Sequence, residues 1–279
     1  MKLKVLILSF LIILLAGCSQ SSQTKQLSTM EKEQMKASSD YRDSGEWGEA
    51  SSQIIDVAPF QSIRTEGNVE IVYMQSKECS VKAFGNTKAI EQYVFHVEEG
   101  KSLLEIKLKD YHYDSAGNFD EHIPGITVFV TSPILEDVHV YGEGDVEIKS
   151  NIRQQHDLCI NVSGRGDVDA KEVEALGLYI NIDGKGDVKL KKAFCQGNAN
   201  FKLDGDGDVN AKVECANTHI EVNGRGDVKL NVKCNELTAI CNGMGDIVLK
   251  GQCNTLNKRD GAAAAINSRN LKVKKVNLI

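Results

Sequence analysis

The sequence has no Cys-x-x-Cys pair, and its six histidines, His96, His112, His122, His139, His156 and His219, show no ligand spacing. Both absences argue against a structural metal centre. Positive charge is also short: 33 Lys and Arg against 39 Asp and Glu leave a formal charge of −6 at pH 7. That balance gives no electrostatic footprint for nucleic acid. The apolar run Val5–Ala16 is too short to span a bilayer comfortably.

What that run does is set by its flanks. Met1, Lys2 and Lys4 form a short basic region before it, and Leu-Ala-Gly-Cys ends on Cys18 with small residues in front of the thiol. This is the pattern of a bacterial lipoprotein signal peptide over residues 1–17, with Cys18 as the lipidated, palmitate-bearing first residue of the mature chain. The protein is expected to be anchored to a membrane through Cys18 rather than to cross it. Loss of Lys2 and Lys4 takes the formal charge from −6 to −8. Ser19 stands where an aspartate would favour inner-membrane retention, which points to the outer membrane of the cell envelope and leaves the periplasmic or exterior face open. Residues 18–52 are rich in Ser, Gln, Lys and Glu and read as a flexible, solvated tether, with a short helix possible over Glu31–Lys36.

From residue 142 the chain repeats itself. The motif Gly-x-Gly-Asp-[Val/Ile] begins at Gly142, Gly164, Gly184, Gly205, Gly224 and Gly243, at separations of 22, 20, 21, 19 and 19 residues, and a worn copy follows at Asp260-Gly261-Ala262. Two copies contain Arg-Gly-Asp, a triplet that suggests a receptor ligand. The middle position, however, holds Glu143, Arg165, Lys185, Asp206, Arg225 and Met244, so the triplet reads as a by-product of a repeat whose glycines and aspartate are the constrained part.

Two glycines one residue apart suggest backbone angles that a side chain would forbid, and Asp is a common turn residue, so the motif reads as a corner. On both sides the apolar residues alternate with period two. Val140, Val162, Ile182, Leu203, Val222 and Cys241 stand two before the first glycine; Val146, Val168, Val188, Val209, Val228 and Ile247 stand four after it. Such alternation marks half-buried strands. A unit of this size buries five or six side chains at roughly 1.5–3 kcal/mol each while ordering its backbone costs about 1–2 kcal/mol per residue, so it must stack on its neighbours. The expected fold is all-β: a right-handed parallel β-helix or close β-solenoid relative with about 20 residues per coil, a β-meander being the alternative.

Residues 142–279 make the regular coils in this reading. Residues 53–141 are strand-like without the motif and read as irregular first coils plus a cap, continuous with the regular stack; Thr65-Glu66-Gly67-Asn68-Val69 looks like a degenerate corner and Glu98-Glu99-Gly100-Lys101 like a hairpin turn. The tail Leu271–Ile279 would close the other end, its lysines discouraging further pairing.

Apart from Cys18, seven cysteines remain: Cys79, Cys159, Cys195, Cys215, Cys234, Cys241 and Cys253. Cys195, Cys215, Cys234 and Cys253 fall ten or eleven residues after their coil's first glycine and should form one column, either as free buried thiols, the favoured reading, or as oxidised neighbours. The aspartates Asp145, Asp167, Asp187, Asp208, Asp227 and Asp246 should line one corner, where like charges about 5 Å apart repel by on the order of 1 kcal/mol per pair. Backbone N–H groups at the glycine corners would compensate them; calcium between turns is the other reading, although calcium-binding nonapeptide repeats have a shorter period and more oxygen ligands.

The succession Val57-Ala58-Pro59-Phe60-Gln61-Ser62-Ile63, Asn68-Val69-Glu70-Ile71 with Gln75, Gly100-Lys101-Ser102-Leu103-Leu104-Glu105-Ile106, Ile126–Leu135 and then the repeat ladder resembles the head GIN domain family of auto-transporter adhesins, from about Ile54 to the C-terminus. The resemblance implies a β-helical domain on a bacterial envelope lipoprotein, an adhesin role and no catalytic residues. One departure is the cysteine load, since members usually carry Ser, Ala or Val in these columns. The leading functional expectation is therefore a non-catalytic module presenting a β-sheet face to a protein or glycan. A polysaccharide-acting β-helix enzyme is the second, its only dense candidate loop being Lys109–Pro124, and a structural lipoprotein that self-associates into homo-oligomers is the third.

Overall fold

The computed structural model describes residues 32–34, 36, 45, 47–98, 100–109, 123–261 and 265–279. Its strands, in chain order, are β1 (Ala50–Ile55), β2 (Ser62–Thr65), β3 (Val69–Gln75), β4 (Ser80–Asn86), β5 (Tyr93–Glu98), β6 (Leu103–Leu108), β7 (Ile126–Ser132), β8 (Asp137–Val140), β9 (Val146–Ile148), β10 (Ile152–Arg153), β11 (Leu158–Val162), β12 (Val168–Ala175), β13 (Leu178–Ile182), β14 (Val188–Cys195), β15 (Asn198–Leu203), β16 (Val209–Glu214), β17 (Asn217–Val222), β18 (Val228–Cys241), β19 (Ile247–Arg259) and β20 (Ile266–Leu278).

Strand formation follows the alternation in the sequence. In β12 the residues Val168, Ala170, Val173 and Ala175 are buried while Asp169, Lys171, Glu172 and Glu174 are exposed. The same phase recurs one coil later, where Val188 pairs with Val168 on one side and with Val209 on the other, all in parallel register. Equivalent residues of successive coils are therefore neighbours about 4.8 Å apart, and the chain is a solenoid rather than a meander.

The coils build three parallel ladders, of which the two outermost coils share only the first two. The first runs β6, β2, β8, β11, β13, β15 and β17 and continues into the later parts of β18, β19 and β20. A second ladder runs β7, β3, β9 and then the opening residues of β12, β14, β16, β18, β19 and β20. The third begins with β10 and takes the second half of β12, as in Ile152 beside Val173, before continuing through β14, β16 and the middle of β18 to β20. The glycine-aspartate motif lies at the edge between the first and second ladders. A continuous apolar core fills the interior, with Val168, Ile180, Val188, Phe201, Val209 and Ile220 fully buried.

The amino-terminal part stacks out of sequence order. β2 lies between β6 and β8, and β3 lies between β7 and β9, so the first coil of the chain sits second in the pile and the coil built from β6 and β7 is outermost. Antiparallel strands then cover that outer end. β5 pairs with β6, while β4 pairs with β7 and is itself covered by β1. Such covering removes the unpaired backbone that would invite association. Corner-like Thr65–Val69 does stack on the first true motif: Tyr141 N–H donates to Thr65 O at 3.0 Å and Glu143 N–H to Gly67 O at 3.0 Å. Between β5 and β6 the N–H of Lys101 donates to Glu98 O at 3.2 Å, with Gly100 at φ 78°.

Ordered structure also reaches into the segment expected to be tether. β1 starts at Ala50, Trp47 packs against the core, and Glu33, in a helical stretch, lies 3.6 Å from Lys149 Nζ. The reason is positional: β4 needs a neighbour on its open edge, and the polar Ala50–Ile55 supplies one. At the other end β20 pairs with β19 and has no partner on its second edge among the described residues.

Candidate functional site

The corner glycines are not there for unusual dihedral angles. None from Gly142 to Gly245 has a left-handed φ, which corrects the expectation from sequence. They are required because the coils approach too closely for a side chain. A Cβ on Gly186 would stand 2.0 Å from Gly166 O, and one on Gly164 would stand 2.1 Å from Gly142 O. This proximity lets one carbonyl serve two donors: Gly164 O accepts from Lys185 N–H at 2.8 Å and Gly186 N–H at 3.3 Å.

The aspartates complete the stitch. Asp145 Oδ1 accepts the N–H of Asp167 at 2.8 Å, Asp167 that of Asp187 at 2.8 Å, Asp187 that of Asp208 at 2.9 Å, Asp208 that of Asp227 at 2.7 Å and Asp227 that of Asp246 at 2.9 Å. At the worn copy Ala265 N–H donates to Asp246 at 3.3 Å, so backbone continues where the side-chain ladder stops. Each aspartate's own carbonyl accepts from the preceding coil, as when Val188 N–H donates to Asp208 O at 2.8 Å. Lysines temper the remaining negative charge: Lys189 Nζ lies 3.3 Å from Asp167 and 3.6 Å from Asp187, and Lys229 lies 3.7 Å from Asp208 and 3.1 Å from Asp227. The hydrogen bond from Asp246 N–H holds the Asp227 carboxyl below its ordinary range. The donors to this column are thus the N–H groups of the aspartates themselves, while corner glycines such as Gly186 donate to carbonyls instead. Among the described residues no three His, Cys, Asp or Glu side chains gather in a way that could hold a metal ion.

The two Arg-Gly-Asp triplets are built into the same stack. Arg165 pairs with Glu143 at 3.0 Å, and Arg225 forms two bonds to Asp206 at 2.8 and 2.5 Å, each across one coil. The cysteine column also forms. Phe194 pairs with Glu214 and Glu214 with Lys233, which brings Cys195, Cys215 and Cys234 into line, Cys234 pairs with Cys253, and all seven described cysteines are free thiols. Burial pushes the Cys195 and Cys234 thiols up to about 12. Thiols so placed are poor nucleophiles at neutral pH.

A polar cluster that sequence reading missed lies on the outer face of the first ladder, where the irregular coils meet the regular ones. Glu105, Arg64, His139 and Asn161 occupy one row on adjacent strands, with Arg64 opposite both Glu105 and His139 and Asn161 opposite His139. Arg64 Nη1 donates to Glu105 Oε1 at 2.9 Å, and Lys107 lies 3.2 Å from Oε2. Burial alone would raise the Glu105 carboxyl, but the hydrogen bonds and charges of Lys107 and Arg64 hold it below the usual range. His139 Nε2 stands 3.0 Å from Asp137 Oδ2 and 2.6 Å from Asn161 Nδ2. Arg64 also lies 5.6 Å from the centre of the exposed Tyr141 ring. These residues come from separate segments without a motif, so only the register of the irregular coils could have joined them. Cys18 and most of the Lys109–Pro124 loop, residues 110–122, lie outside the described residues.

Solved structures share this fold. The chain matches a structure described as a "putative adhesin" from Bacteroides fragilis with a TM-score of 0.64 at 20% identity, covering 86% of this chain and 99% of that one. It is similar to a "putative adhesin" from Parabacteroides distasonis with a TM-score of 0.62 at 19% identity, again over 86% and 99% of the two chains. A third, from Parabacteroides merdae, gives 0.59 at 15% identity over 82% and 96%. No curated protein matches the chain. No helix among the described residues is long and apolar enough to cross a membrane. The family described as "Putative auto-transporter adhesin, head GIN domain" matches residues 59–233 and 212–278, nearly the whole solenoid, and the chain belongs to that family.

Proposed function

We propose that this protein is a cell-envelope lipoprotein, anchored through Cys18, whose solenoid is a non-catalytic, adhesin-like module for a protein or glycan ligand. One observation carries the reading. Within each coil the demanding residues, the glycines and the aspartate, are spent on joining that coil to the next, while the outward positions between them vary freely in charge and size. A surface of that kind suits recognition along a face. Membership of an adhesin family supports the same reading and an association with the envelope or cell surface.

Two measurements test it. Metabolic labelling with palmitate should mark the wild-type protein and miss Cys18→Ala, which should leave the membrane fraction. Purified protein on arrays of glycans and matrix proteins should bind without altering its ligand. Release of oligosaccharides from a polysaccharide substrate would overturn the non-catalytic reading, and unlabelled wild-type protein would overturn the anchor.

A further inference from the structure

Charge is sorted between the edges of this prism. The motif edge carries the acidic column described above. The edge between the second and third ladders instead carries a column in which Lys212 stands beside Asn231, Asn231 beside Lys250 and Lys250 beside Asn270, with Lys192 preceding them one coil earlier. Next to it on the third face runs a second column in which Phe194, Glu214, Lys233, Gln252 and Lys272 are successive partners. Between the two columns lies a groove of about 810 Å³ lined by Lys192, Lys212, Lys233 and Lys272 against Glu174 and Glu214, and a second groove of about 670 Å³, reached by Lys212 and Lys250, continues onto the second face.

Lys233 is held by Glu214 at 2.5 Å, but Lys192, Lys212, Lys250 and Lys272 have no ion pair among the described residues. From Lys212 in the first column and Lys233 in the second, cations and carboxamides therefore alternate from coil to coil along an open trough, at the strand spacing of about 4.8 Å, with Glu174 and Glu214 as the acids at its start. The backbone N–H and C=O groups beneath are committed to the ladders between coils, so an extended peptide cannot add itself here as another strand. Apart from the backbone of Gly251 the groove is faced by side chains, and apart from the 40% exposed Phe194 its outward rows hold almost nothing apolar to enter a bilayer.

We infer that this lysine-and-amide trough binds a linear polymer of acidic sugars laid along the solenoid axis. Carboxylates recurring along such a polymer at a spacing close to that of the coils would meet the ammonium groups, ring hydroxyls the carboxamides, and one sugar face the Phe194 ring. The inference rests on the adhesin-like reading and names the ligand class for it.

The test uses the full chain in detergent, with polygalacturonate as the probe, neutral dextran as control and vesicles containing phosphatidylglycerol as the competing surface. Polygalacturonate should bind, weaken about tenfold or more as salt is raised, and weaken about tenfold or more in the double variant Lys212→Glu, Lys250→Glu. Lys212→Gln, Lys250→Gln should fall in between, and Lys185→Glu on the motif edge should bind as wild type; circular dichroism confirms that each variant is folded. Polygalacturonate binding that ignores the reversals, or dextran binding just as tightly, overturns the inference and leaves the adhesin-like reading standing. Vesicle binding that the reversals abolish, without binding of the polymer, reassigns the trough to a membrane surface and likewise overturns it. Absence of binding to the probe and to every array ligand overturns both.

Discussion

At Gly186 the space for a methyl group is already filled by the carbonyl oxygen of Gly166, 2.0 Å from where the Cβ would be. Both atoms belong to backbone that is hydrogen-bonded on either side, so little can give. Gly186→Ala should destabilise the solenoid by about 3 kcal/mol or more, read as a fall in the urea midpoint, whereas Gly100→Ala, with nothing within 4 Å but φ at +78°, should cost about 1–2 kcal/mol. The aspartates make a different contribution. Asp187→Ala strands the N–H of Asp208 and should cost about 1.5–3 kcal/mol, while Asp187→Asn keeps an acceptor oxygen and should cost less. Acidity follows from the same bond. Because the Asp227 carboxyl is held below its ordinary range by the Asp246 N–H, the stability it contributes is complete above the unfolded value of about 3.9 and is lost as pH falls through the lower folded value. Wild type should therefore lose more stability than Asp227→Asn between neutral pH and about pH 3, measured by denaturant titration at each pH. Cys195, with its thiol pushed up to about 12, should resist iodoacetamide at neutral pH until the chain is unfolded.

At the scale of the strand, the covering of the outer end can be probed through β1. Ser52 lies opposite Phe84 in the β1–β4 ladder, and Ser52→Pro should loosen β1 and bare the edge of β4. Light scattering should then show association that rises with protein concentration and is absent from wild type. This region also marks how far the sequence could be read. The regular coils were legible because each motif fixes its own register: Val188 beside Val209 follows from counting residues between glycines. β2, β6 and β8 carry no such marker, and period-two alternation says that a strand is half-buried without saying which strand lies beside it. The place of β2 between β6 and β8 was therefore hidden, and with it the meeting of Arg64, Glu105 and His139. β1 was missed for a related reason, since Ala-Ser-Ser-Gln-Ile-Ile covers an edge rather than a core and has little apolar contrast. The glycines were recognised as constrained, but sequence alone cannot distinguish a need for a rare dihedral angle from a need for empty space.

Over the whole molecule, stability is a sum over adjoining coils. Hydrogen exchange should accordingly be slowest in the middle coils, through β13, β15 and β17, and faster in β1, β5 and β20, each of which has a single partner strand among the described residues. The out-of-order coil has its own consequence for how the polypeptide is made. β3 acquires its two neighbours only from residues 126–132 and 146–148, so a nascent chain must extend past Ile148 before its first coil is held on both sides. Until then β2 and β3 have only β6 and β7 beside them, on one side, and chains halted short of that point should be cut more readily by protease than longer ones. Beyond it each newly emerged stretch of about 20 residues needs only the turn made just before it, and protection should advance one turn at a time, as wool winds onto a ball once the first knot is tied.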